Sequence, residues 1–295
     1  EPAFLKGIEE QNAEIKAIVE SRETPGFENT IVALDNSGRT LARVKGVFYA
    51  LTEADTNDEM SALSEKIAPV LSEHNDNIYL NQDLYKRVAA VWQQEQEGKI
   101  TLTTEQHRLL DRYHKAFIRS GAGLDAGKQN RLREINKELS TLAITFSNHV
   151  LNENNAYRLV IDNEAELAGL PEWVKTGAEE AKAVGKEGKW LFTLQNSSRL
   201  PLLQYADNRE LRKDIYEAYI NRGNNGDAND NKEILKKIIS LRLEKANLLG
   251  FDCYSNFVLD ENMAKNSETV MDFLHNLWGY SLKNAKTEAA ELQKM

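Results

Sequence analysis

Apolar residues recur along most of this chain at alternating steps of three and four, and that spacing confines it to helices packed through one face. The longest instance runs Leu132, Ile135, Leu139, Leu142 and Phe146, the narrow seam of an antiparallel helical hairpin or bundle. A first helix carries Ile8, Ile15, Ile18 and Val19 on one side and is broken at Thr24-Pro25-Gly26. A second run opens at Phe27-Glu28-Asn29-Thr30-Ile31, turns at Asn36-Ser37-Gly38, and resumes with Leu41, Val44, Phe48 and Leu51. Further helices are expected from Met60 to Leu71, bent by Pro69, and from Leu84 to Trp92. The next is capped by Thr103 or Thr104, carries Leu109, Leu110, Tyr113 and Phe117, and ends at Gly121 and Gly123.

The texture then changes. Tyr157-Arg158-Leu159-Val160-Ile161 and Trp190-Leu191-Phe192-Thr193-Leu194 have β composition, and a short helix from Pro171 to about Val184 lies between them. Two strands alone are marginal, so they read as a small ribbon attached to a helical body. Helix returns in the last third. Asp207 or Asn208 caps a run through Leu211, Ile215 and Tyr219, closed by Gly223. The next carries Ile234, Leu235, Ile238, Leu241 and Leu248 and stops at Gly250. The last begins near Ser267, with a stripe of Val270, Phe273, Leu274, Leu277, Trp278, Leu282 and Leu292. The expected fold is mainly α, a multi-helical bundle-like architecture with a two-stranded ribbon. Its regions are a helical part over 1–155, a ribbon and short helix over 156–206, and a second helical part over 207–295. The final stripe is still in phase where the text stops at Met295, which leads us to expect a piece of a longer chain. The first residue, Glu1, carries the same expectation upstream, so the compartment stays open between cytoplasm and bacterial periplasm or envelope.

Composition narrows the function classes. With 41% hydrophobic residues in 295, the chain has material for one large core or two smaller ones. A formal net charge of −9 and no strong basic run argue against nucleic acid as a partner. No apolar run reaches the length of a membrane span. The single cysteine, Cys253, rules out an internal disulfide and reads as a small packing side chain.

Catalytic signatures are missing. None of His74, His107, His114, His149 and His275 is followed by Glu, so His-Glu-x-x-His does not occur. His107, Asp111 and His114 share one side of a helix and form the nearest approach to a metal face. Their neighbours Arg108, Arg112 and Lys115 point instead to a solvated, charge-paired surface. His149 reads as a helix-end packing residue. Gly121-Ala122-Gly123 lacks the third glycine of a dinucleotide loop. Asn196-Ser197-Ser198 matches a glycosylation sequon, a weak signal. No catalytic or metal-binding residue is assigned, and the substrate-binding residues are unknown.

A family resemblance supplies what motifs do not. Pro25-Gly26-Phe27-Glu28-Asn29-Thr30-Ile31 resembles the Pro-x-Phe-Glu-Asn-Thr-Ile segment near the start of bacterial peptidyl-dipeptidases, relatives of thimet oligopeptidase and neurolysin. Asn208-Arg209-Glu210-Leu211-Arg212 resembles a second family segment. Tyr219, Arg222, Asp230-Asn231, Leu241-Arg242, Ala246-Asn247-Leu248-Leu249-Gly250 and Met263-Ala264 follow in the family's order. Arg119-Ser120-Gly121-Ala122 and Leu170-Pro171 also fit, while Gly26 stands where a larger residue is expected. The resemblance implies a two-lobed zinc peptidase in which zinc polarises the scissile carbonyl and activates water, with a motif glutamate as base. The zinc residues lie beyond the point matching Met295. The chain would then form one wall of a channel for short peptides, would hold no metal, and would be inactive alone. It would also expose apolar surface able to drive self-association. Arg209, Arg212 and Arg242 sit on helices where they could pair with Asp or Glu of neighbouring helices, and are expected to be architectural rather than substrate-contacting. Two other readings stay open: an independent helical adaptor for peptides or proteins, and a small metal-binding helical protein using His107, Asp111 and His114.

Overall fold

The structure, a computed structural model, describes residues 1–178, 185 and 188–294. Helix dominates, in two compact units. One comprises Glu1–Ala54, Val70–Glu138 and Ile239–Met295, and the other Asp55–Pro69 and Leu139–Ile238.

The first unit opens with α1 (Pro2–Glu20), whose buried face is Phe4, Gly7, Ile15 and Ile18. Ile8 and Val19 of the expected stripe are only half-buried. After the Pro25-Gly26 break comes a π-helical turn (Phe27–Val32), a short α2 (Ala33–Asn36), and α3 (Arg39–Ala54). Gly7 lets α1 and α3 touch: a Cβ built there would sit 2.8 Å from the Leu41 Cα. On α3 only Leu41 is fully buried, and Leu51, expected in the core, is exposed. The helix expected from Met60 to Leu71 is longer, running as α4 (Asp58–Tyr79) with Pro69 inside it. Proline removes one backbone donor, and packing of the flanking turns outweighs that loss. Next come α5 (Gln82–Gln96) and α6 (Thr104–Arg119). Thr103 caps α6 in a reciprocal box with Gln106, and Gly121 closes it at φ +92°. The core joins Ile15 and Ile18 to Ile31, Leu34, Ile78, Leu84, Val88, Leu110 and Phe117.

The 31-residue α7 (Ala126–Ala156) begins in the first unit and continues in the second. Its expected seam is uneven. Leu132 and Ile135 are fully buried, whereas Leu139, Leu142 and Phe146 are half-buried. In the second unit β1 (Leu159–Ile161) pairs antiparallel with β2 (Trp190–Phe192), with Leu159 opposite Phe192 and Ile161 opposite Trp190. The helix between them, α8, spans Glu172–Ala178; its expected end near Val184 lies outside the described residues. Strand Ile161 and Phe192, Leu167, Val174, Leu202, Leu211 and Ile215 build a second core.

Two helices were not foreseen. One is α9 (Asn196–Tyr205), which buries Arg199 and Leu202 although Pro201 lies inside it. After α10 (Arg209–Ile220) and α11 (Lys232–Leu248) comes the other, α12 (Tyr254–Leu259), capped by Cys253. The long α13 (Ser267–Leu292) is capped by Asn266, and the expected end at Met295 lies outside the described residues. Among the described residues no helix is long and apolar enough to cross a membrane.

Candidate functional site

The helical face with metal-ligand spacing does not assemble. His107 Nδ1 lies 2.7 Å from Glu95 Oε1 on α5. Asp111 holds Lys115 at 2.9 Å and Arg108 at 3.6 Å. His114 stacks flat on Trp92, centroids 4.5 Å apart and planes 10° from parallel. Burial lowers the His114 pKa below 6.5, so the ring rests neutral among aromatics. Three side chains committed to three different partners do not fit zinc, and among the described residues no group of three or more His, Cys, Asp or Glu could hold a metal ion.

The family-like segments hold turns and helix ends. Asn29 Oδ1 accepts from the Gly26 amide at 2.8 Å, and its Nδ2 donates to the Thr24 carbonyl at 3.0 Å. Arg87 of α5 is buried against the same turn and donates to Ser21 O at 3.1 Å and Glu23 O at 3.3 Å. Asn208 caps α10. Asn231, 4% exposed, donates to Phe146 O at 3.1 Å and faces His149 Nδ1 at 3.0 Å, which places His149 in packing. Arg119 donates to Asp260 at 2.6 Å and lies over the Phe257 ring.

Two of the three arginines read as architectural make contacts within the protein, to groups other than carboxylates. Arg212 donates to the carbonyls of Ala206 and Asp207. Arg242 lies over Tyr254, 5.1 Å from the ring centroid. Arg209 is exposed. Backbone carbonyls and aromatic faces can also engage a guanidinium, more weakly than a carboxylate, and sequence spacing does not distinguish the three.

Buried polar chemistry sits elsewhere in the first unit. Asp76 Oδ1 accepts from Asn136 Nδ2 at 2.8 Å, and Asn136 Oδ1 accepts from Lys245 Nζ at 2.7 Å, tying α4, α7 and α11 together. Burial pushes the Asp76 carboxyl up and the Lys245 ammonium down. A second polar group lines a cavity of about 240 Å³ between α1, α2, α3, α4 and α6. His74 forms part of its wall and is only 6% exposed. Its ring was one of five histidines in the sequence, and no spacing singled it out.

The last helix presents an unburied stripe. Phe273 is 66% exposed, Leu277 51%, Trp278 62% and Leu292 70%. Only Val270 and Leu282 of the expected stripe are half-buried.

Residues 202–295 match the model of peptidase family M3. Over 293 residues the chain is 36% identical to dipeptidyl carboxypeptidase of Escherichia coli, a match covering 99% of this chain and 43% of that protein. It is 32% identical over 297 residues to oligopeptidase A of Salmonella typhimurium, again 99% of this chain and 43% of the relative. Over nearly its full length the chain is similar to peptidases of this kind. Saccharolysin of Saccharomyces cerevisiae is 28% identical over 275 residues, covering 92% of the chain and 38% of that protein. The chain thus spans less than half the length of each of these M3-family relatives.

Proposed function

We propose that this chain is the amino-terminal, channel-wall portion of a zinc metallopeptidase that releases dipeptides from the carboxyl end of short peptides, and that it is inert alone. The observation that carries the reading is the likeness, over 99% of the chain, to a dipeptidyl carboxypeptidase. On this reading the family's zinc would be held by the remaining length of such proteins, since His-Glu-x-x-His does not occur in this sequence. A wall of packed helices suits selection by size. It is preorganised, and it admits an extended peptide while excluding a folded domain. Under this reading the apolar stripe of α13 is covered by the rest of the protein, and its exposure makes the isolated chain prone to self-association. A net charge of −9 speaks against nucleic acid as a competing partner.

The test replaces the matching stretch of E. coli dipeptidyl carboxypeptidase with this chain. The chimera should release dipeptides from a short peptide's carboxyl end and lose that activity to a chelator, while the isolated chain should do neither. A chimera that folds and binds zinc yet cleaves no peptide would overturn the assignment. So would chelator-sensitive cleavage by the isolated chain.

A further inference from the structure

We propose that Asn225 is a site of spontaneous covalent modification: its side-chain carbonyl carbon closes onto the Gly226 nitrogen, ammonia leaves, and the resulting carboxylate frees this loop from Glu153. Asn225-Gly226 is the one Asn-Gly pair in the sequence. The glycine matters twice. It has no Cβ to shield its nitrogen, and at φ +71° it holds a left-handed conformation that other residues adopt at a cost. A Cβ built there would meet nothing within 4 Å, so the surroundings are open. Both residues are exposed and lie between α10 and α11, in neither helix nor strand. Their polar groups are held by side chains. The Gly226 amide donates to Asp230 Oδ2 at 2.7 Å, and Asn225 Nδ2 donates to Glu153 Oε2 at 3.0 Å. Side-chain bonds on an exposed loop open at small cost, so they slow the reaction without blocking it. Asn29, Asn208 and Asn231 differ: Thr30, Arg209 and Lys232 follow them, and none of the three is exposed.

The step balances without an oxidant or a cofactor. Solvent hydroxide takes the Gly226 amide proton, and the nitrogen attacks Asn225 Cγ. The N–Cγ bond forms, the Cγ–Nδ2 bond breaks, and Nδ2 leaves as ammonia with a proton from water. Water then opens the cyclic imide at either carbonyl, giving aspartate or the backbone-lengthened isoaspartate. Glu153 anchors the loop on α7, because its Oε2 accepts from the Gly223 amide at 2.8 Å as well as from Asn225. The reaction replaces that Asn225 donor by a carboxylate at hydrogen-bond distance from Glu153, and like charges so close disfavour each other. The far end of the loop stays fixed. Asn231 donates its side chain to Phe146 O at 3.1 Å and its backbone amide to Gly223 O at 2.7 Å. The release is therefore local to the turn around Gly226. This site stands independently of the peptidase reading.

The test incubates the purified chain at neutral pH and maps its peptides over days by mass spectrometry. Asn225 should gain the mass of an amide-to-acid change faster than every other asparagine, with isoaspartate appearing in step. Gly226→Ala places a methyl in open space and should slow the conversion to the rate of the other asparagines. Asn225→Asp, one of the two products, should raise amide exchange at Gly223 at least about tenfold, the loss of one bond to a charged group. Glu153→Gln offers the new carboxylate a donor. Combined with Asn225→Asp, it should return that exchange to within about twofold of Glu153→Gln alone. Conversion of Asn225 no faster than that of other asparagines would overturn the proposal. So would an unchanged Gly223 exchange in Asn225→Asp, or a rise that Glu153→Gln does not remove.

Discussion

Replacing Asn29 by Ala should loosen the turn between α1 and α2, although the side chain touches no hydrophobic core. Asn29 uses both ends of its amide. Oδ1 holds the Gly26 amide at 2.8 Å and the Thr30 hydroxyl at 2.9 Å, and Nδ2 holds the Thr24 carbonyl at 3.0 Å. Arg87 at 3.5 Å is at the limit of a hydrogen bond and adds little. Two backbone anchors at about 1 kcal/mol each, with a fraction more for the stranded Thr30 hydroxyl, give a loss of about 2–3 kcal/mol. Asn29→Asp keeps the acceptor but turns the Nδ2 bond to Glu23 Oε2, 3.1 Å, into a contact between two carboxylates, so it should cost about as much as Asn29→Ala. Asn12→Ala, on the exposed side of α1, should stay within about 0.5 kcal/mol. Urea unfolding reads the midpoint shift, and amide exchange at Gly26 reads the local opening. An Asn29→Ala chain with an unchanged midpoint and an unchanged Gly26 exchange rate would refute the hydrogen-bond account of this segment.

Gly7→Ala should destabilise the protein by on the order of 1 kcal/mol, because the new methyl meets the Leu41 backbone. Helix propensity alone favours alanine by about 1 kcal/mol, so a stabilised variant in thermal melts would reject the close approach of α1 and α3. Acid should weaken the first unit. His74 and His114 have folded pKa values lowered by burial, so the stability they contribute is complete above about pH 6.5 and is lost as pH falls through the folded values. Urea midpoints that hold steady or rise between about pH 7 and pH 5 would contradict this, and His114→Phe should flatten the slope. The isolated chain should bind a hydrophobic dye and self-associate, and the double replacement Phe273→Asp with Trp278→Asp should reduce both. A monomeric chain that binds no dye would show that the α13 stripe is not a sticky surface.

Legibility followed the range of the forces. Thr103, Asn208 and Gly121 act on backbone within a few residues, and their roles could be read locally. So could the two β segments, because their alternation and branched residues depart from the helical period. The π-helical turn, α9 and α12 were harder. α9 carries Pro201 inside it and α12 is only six residues long, so local propensity is weak and packing decides. The candidate sites fared least well. Spacing put His107, Asp111 and His114 on one helix side; Lys115 of the same helix pairs with Asp111, as its spacing indicated, while Glu95 and Trp92 of α5 meet His107 and His114. His74 carries no motif, and its partner Gln11 lies 63 residues away.

The order of amino acids by itself determined a helical chain with a small ribbon, the helix ends marked by Thr103, Asn208 and Gly121, and its kinship with zinc oligopeptidases. Those depend on period, local capping and inherited segments. Only the tertiary structure decided which apolar faces are covered, which histidine is buried against Gln11, and which arginines meet carbonyls and rings. Those outcomes depend on what other helices bring within a few ångströms, and separation along the chain does not encode that distance.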